Sequence, residues 1–206
     1  MDLEDFHRQI RGMVSEEVAR QLHEPDAEFP AEELVFADLV MRHIQEAGLC
    51  DSYDVCHWTG TVGQARLRIS GHAISTDETR LDLLLTHYVG TDVLEQIRDA
   101  DIADVARAAV NFLKNAARGR LLPRLDPSSD VYALVEMIQR LWSELDQVRI
   151  FVITDGQTRS KHFKGQEIEG RGVLVEAIDM ERLFRHMSGR PRDEIEISFP
   201  QAMGAP

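Results

Sequence analysis

Four side chains in the first ninety residues are of the types that divalent-metal phosphodiester chemistry uses: Glu33, Asp77, Asp82 and His87. Carboxylate oxygens hold Mg²⁺ or Mn²⁺, and the metal polarises a phosphate and helps generate hydroxide. A cleft gathering all four would be the site of a metal-dependent nuclease with Mg or Mn as cofactor. Each also has a plainer reading. Asp77 and Glu78 lie in a turn-forming stretch, Thr76-Asp77-Glu78-Thr79. Glu33 suits the first turn of a helix on dipole grounds. Asp82 suits a solvated strand position. Cys50 and Cys56, with His57, His72 and His87, do not form a zinc pattern. Zinc ligands come as close pairs brought together twice, and alternation on a strand sends Cys56 and His57 to opposite faces. The residues therefore assign no resident metal.

Positive side chains that could meet a phosphate backbone fall in two places. One is Arg66 and Arg68; the other is Arg159, Lys161 and Lys164, with Phe163 beside them for stacking. The balance of the chain opposes this use. Its 206 residues carry 36 acidic against 23 basic side chains, a net charge of −13, which repels nucleic acid. Two cysteines are too few for a disulfide framework, and the acidic N-terminus lacks an apolar leader segment, so a reducing cytoplasm is expected. No apolar run approaches the ~20 residues that span a bilayer, so no membrane partner is expected. A glycine-rich phosphate loop, a nucleophile elbow and an HExxH motif are all lacking.

The elements that would position these residues read as follows. Leu3, Phe6, Ile10, Met13, Val14, Val18 and Leu22 recur at three- and four-residue steps, an amphipathic helix. Pro30 opens a second helix with Val35, Phe36, Leu39, Val40 and Ile44 on its apolar face, and Gly48 ends it. Residues 53–58 form a strand. Residues 66–88 form a hairpin, in which Leu81, Leu83 and Leu85 alternate with Asp82, Leu84 and Thr86. Helices follow over Ile102 to Leu113 and Val131 to Leu145, joined by a proline-bearing linker at 119–129. Residues 148–154 and 173–178 are buried-type strands separated by a polar, basic loop. Asp179 caps a last helix to Met187, and 195–199 adds a short strand. This order predicts a single α/β domain with a mixed α+β sheet, a β-meander plus βα units, and helices on both faces. Residues 1–29 are a helical appendage, 30–199 the core and 200–206 a tail.

With that order in view, three runs resemble the N-terminal region of abortive-infection phage-resistance (AIPR) proteins. They are Asp54-Val-Cys-His-Trp-Thr-Gly60, Ile69-Ser-Gly-His-Ala-Ile-Ser75 and Leu81-Asp-Leu-Leu-Leu-Thr-His-Tyr88. Phe151-Val-Ile-Thr-Asp-Gly156 and Ile178-Asp-Met-Glu-Arg-Leu-Phe184 extend the resemblance. It implies a restriction-endonuclease-like core of the PD-(D/E)xK type. It also implies a larger protein whose C-terminal region would be a partner. In such nucleases two acids on adjacent strands hold the metal, a lysine two residues past the second acid stabilises charge, and a helix glutamate joins them. Mapped by position, the helix glutamate falls near Glu33, the first acid on Ser70, the second acid on Leu85 and the lysine on His87. Leucine binds no metal, and serine is a poor ligand for a hard dication. The resemblance therefore implies a nuclease scaffold without its ligands. The expected role is non-catalytic, in self-association as a homodimer or in recognition of a partner or ligand. The alternatives are a nuclease with relocated ligands and a nucleic-acid-binding domain that does not cut.

Overall fold

A computed structural model describes residues 1–23 and 31–188. Helix α1, Leu3–Gln21, starts where the Asp2 carboxylate accepts the Asp5 backbone N–H at 2.8 Å. Its buried residues Phe6, Ile10, Val14 and Val18 trace the predicted stripe. Helix α2, Glu32–Glu46, has both glutamates in its first turn, where the helix dipole favours them. Gly48 follows it at φ +69°, the left-handed conformation that a helix end calls for. Strands β1 (Tyr53–Val62), β2 (Ala65–Ile74) and β3 (Arg80–His87) form the antiparallel meander. Then come β4 (Gln96–Ile97), α3 (Asp99–Ala117), a 3₁₀ turn at Leu122–Arg124, α4 (Asp130–Leu141) and β5 (Gln147–Thr154). The chain continues through β6 (Gln157–Thr158), β7 (His162–Ile168), β8 (Arg171–Ile178) and α5 (Met180–Met187).

Six strands form one mixed sheet in the order β1-β2-β3-β5-β8-β7, and β4 pairs with β6 apart from it. β3, β5 and β8 run parallel at the centre. Residues 81–86 of β3 are buried throughout, as a strand covered on both faces must be. One face packs Leu67, Ile69, Leu83, Leu85, Ile150 and Val152 under α3 and α4. The other packs Leu84, Phe151, Ile153 and Ile178 under α1, α2 and α5. Phe6 of α1 and Phe184 of α5 meet there with ring centroids 5.2 Å apart.

The segment read as a polar loop at 157–172 instead holds β6 and the edge strand β7. Its backbone pairs with β8, but most of its side chains are exposed, so no apolar alternation marks it. β1 also runs further than its sequence pattern, to Val62. Pro30 and the strand read at 195–199 lie outside the described residues. Among the described residues no helix is long and apolar enough to cross a membrane.

Candidate functional site

The first turn of α2 lies over the C-terminal end of β3. There the Thr86 hydroxyl donates to Glu33 Oε1 at 2.7 Å, and the Arg68 guanidinium of β2 donates to the same carboxylate. Arg68 Nη2 also donates to Thr86 Oγ1 at 3.3 Å. Ser70 Oγ accepts the Thr86 backbone N–H at 3.3 Å and lies 3.4 Å from the Thr86 hydroxyl. Ser70 and Thr86 are buried, while Glu33 and Arg68 are partly open to solvent. Next to Ser70, Gly71 permits the approach of α2. A Cβ there would lie 2.9 Å from the Asp54 carbonyl oxygen and 3.0 Å from the Met41 side chain.

A second cluster adjoins the first. Glu32 accepts from the Tyr88 hydroxyl and from Arg11 of α1, each at 2.9 Å. Arg11 also donates to the Tyr88 hydroxyl, and the Tyr88 ring lies 5.1 Å from that of Phe36. The hydrogen bonds from Arg11 and then from Tyr88 hold the Glu32 carboxyl below the usual range, against desolvation. Beyond it the Asp155 carboxylate accepts the backbone N–H groups of Val89 and Gly90 at 2.8 and 2.7 Å, which fixes the chain as it leaves β3. Sequence reading missed these partners. The available signal was polar Thr86 in an otherwise apolar run.

The other predicted residues lie elsewhere. Leu85 points away from Glu33 into the core with Leu67 and Ile69. His87 shares that direction by alternation and lies within electrostatic reach of Asp101 in α3. Asp82 faces the same side as Thr86 but at the opposite end of β3, where Arg149 Nε and Nη2 grip it at 2.6 Å each. Asp77 stays in its turn, accepting from Ser75 Oγ at 2.6 Å and Thr79 Oγ1 at 2.9 Å. The structure thus brings Glu33, Ser70, Arg68 and Thr86 together and leaves Asp77, Asp82, Leu85 and His87 apart from them. Among the described residues no group of three or more His, Cys, Asp or Glu side chains is arranged to hold a metal ion.

The basic residues do not form one patch. Arg66 is exposed near the tip of the β1–β2 hairpin, while Arg159 and Lys164 are exposed near or on β7 at the far edge of the sheet. Lys161 is bound to the Asp179 carboxylate, donates to the Thr158 carbonyl at 2.7 Å and lies 3.0 Å from Glu181. It braces the start of α5.

Comparison with known proteins gives one result. The family model described as the abortive infection phage resistance protein N-terminal domain matches residues 36–185. That span takes in Arg68, Ser70 and Thr86 and begins three residues after Glu33. No curated protein and no solved structure matches the chain.

Proposed function

The chain belongs to the abortive infection phage resistance protein family by its N-terminal domain, and from that premise we propose a non-catalytic recognition module on a nuclease-like scaffold. The reading extends to a restriction-endonuclease-like core, a cytoplasmic setting, and association with a second copy or with a C-terminal region of a longer protein.

The observation that carries it is the occupancy of the Glu33 carboxylate. A hydrolytic Mg²⁺ or Mn²⁺ needs carboxylate oxygens free to ligate it and open positions for water and phosphate. Glu33 instead holds the cationic Arg68, and its neighbours Ser70 and Thr86 offer neutral hydroxyls already bonded to one another. A dication arriving here would have to displace a guanidinium for a single carboxylate. The residues that converge with Glu33 and Ser70 are Thr86 and, by alternation, Tyr88. They are one position out of phase with Leu85 and His87, and in neither phase is there an acid followed by a lysine.

The test is calorimetric titration of the chain with Mg²⁺ and Mn²⁺, then incubation with single- and double-stranded DNA and RNA. No saturable metal heat and no cleavage are expected. Metal-dependent cleavage abolished by Glu33→Gln would overturn the reading.

A further inference from the structure

The β1–β2 hairpin runs past its last ladder pair with β3, Gly71↔Leu84, and stands beside α3 as an arm. Between arm and helix lies a cleft of about 860 Å³. Its hollowness comes from small residues on both walls: Gly60 and Ala65 on the arm, Ala108 on α3. On the helix side Asp104, Arg107 and Asn111 fall at three- and four-residue steps, so one stripe of α3 faces the arm. Asn111 Nδ2 donates to the Arg66 carbonyl at 3.2 Å and ties the two walls together.

The charge of this cleft is opposite to that of the protein. Arg66, Arg68 and Arg107 line it against one acid, Asp104, in a chain of net charge −13. Arg68 is engaged with Glu33. Arg107 pairs with Asp104 at 2.9 Å, but both side chains are 66% exposed, so that pair is weak and easily exchanged. Arg66 has no acidic partner among the described residues. An anion entering the cleft would find one free guanidinium on the arm and a second, loosely held, on the helix. Thr61 and Gln64 supply neutral donors beside them.

From this geometry we infer that the cleft binds a nucleotide-sized ligand carrying two or more phosphates, with its charge on Arg66 and Arg107. The inference deepens the recognition role proposed above and rests on it only in that the bound ligand is not cut. The volume lies within the range of small-ligand sites. The surrounding acidity favours a compact anion over a strand, because a long phosphate backbone would run from the cleft onto repelling surface, whereas a nucleotide meets the cleft alone.

Trp58 offers a reporter. A Cβ at Gly60, on the cleft wall, would lie 2.4 Å from the Trp58 ring, so the indole rests against that wall. The chain has two tryptophans, and Trp142→Phe leaves Trp58 as the sole tryptophan, read by indole-selective excitation. The full chain with that change would be titrated with adenosine triphosphate, inorganic triphosphate and a single-stranded oligonucleotide, with calorimetry in parallel. A saturable response to adenosine triphosphate is expected, weakened about tenfold or more by Arg66→Ala and by Arg107→Ala, as loss of a charged hydrogen bond would give. Both arginines are exposed, and circular dichroism checks that the variants fold. Asp104→Asn should tighten binding by releasing Arg107. Displacement by inorganic triphosphate would assign the contact to the phosphates. No saturable binding by either method, an unchanged affinity in Arg66→Ala, or tighter binding of the oligonucleotide would overturn the inference. Cleavage of the bound ligand would instead overturn the non-catalytic reading and leave this site standing.

Discussion

The Thr86 hydroxyl and the Glu33 carboxylate meet at 2.7 Å across 53 residues of sequence, and this bond marks the phase of β3. It sets Asp82, Leu84 and Thr86 toward α2 and Leu81, Leu83 and Leu85 toward α3. The consequences for chemistry and stability follow from which side each residue faces.

Acids placed in the phase of Thr86 should create a metal site, and acids in the other phase should not. Ser70→Asp with Thr86→Glu, in an Arg68→Ala background, adds two carboxylates beside Glu33. Saturable Mn²⁺ heat, absent from the parent, is expected by calorimetry. Leu85→Glu puts a charge into a fully buried position and should lower stability by more than about 3 kcal/mol in denaturant unfolding, with no metal heat.

The buried pair of Asp82 and Arg149 makes an asymmetric prediction. Asp82 is 1% exposed, and its two hydrogen bonds from Arg149 are both 2.6 Å. Arg149→Ala would remove both of those hydrogen bonds, leave that carboxylate only the 3.6 Å approach of Arg80, and should cost about 3 kcal/mol. Asp82→Leu combined with Arg149→Met removes both charges and should recover most of the loss. Urea unfolding of the three variants reads the difference.

Cys50 and Cys56 are buried, and burial pushes each thiol up to about 11, with Asp82 adding to the effect at Cys50 and Asp130 at Cys56. At pH 8 almost none of either is thiolate, the form that reacts. A disulfide reagent should therefore modify neither in the native protein. Both should react together as denaturant unfolds the chain.

Stability should fall in mild acid through His72 and His7. Burial is the main influence lowering both imidazoles below 6.5, with Asp54 opposing at His72, and Arg11 adding and Asp155 opposing at His7. The His72 Nδ1 is buried without a hydrogen-bond partner. A histidine with a lowered folded value stays neutral in the native state while the unfolded chain takes a proton. Its contribution is whole above pH 6.5 and declines as the pH drops below that toward the folded value. Melting temperatures taken from pH 7.5 to pH 5 should decline, and His72→Gln should make the decline shallower.

Much of the scaffold was legible because its signals are local. The stripe of α1, the Asp179 cap of α5 and the Asp77 turn before β3 each involve residues a few positions apart. The site was less so. Leu81 to Leu85 is apolar on both faces apart from Asp82, so period-two reading shows a strand without giving its phase. Thr86 and Asp82, two positions on either side of Leu84, were the clue, since a polar group in a covered strand must find a partner. The engagement of Arg68 with Glu33 and of Lys161 with Asp179 depends on elements far apart in sequence. Composition alone leaves such side chains looking available. β7 was missed for a different reason, since an edge strand is held by its backbone and its side chains carry little pattern.

The parallel pairing of β3 with β5 also bears on how the chain is made. Asp82 and Arg149, opposite each other in that pair, are separated by 67 residues, whereas β1, β2 and β3 are joined by short turns. Closing the long segment carries more chain entropy than closing a turn, so the meander forms first and β5 joins it later. During that interval β3 has a bare backbone edge between two leucine-bearing faces, a template for pairing with another nascent chain. A high density of chains in synthesis at once therefore favours aggregation over folding, and weaker expression relieves it.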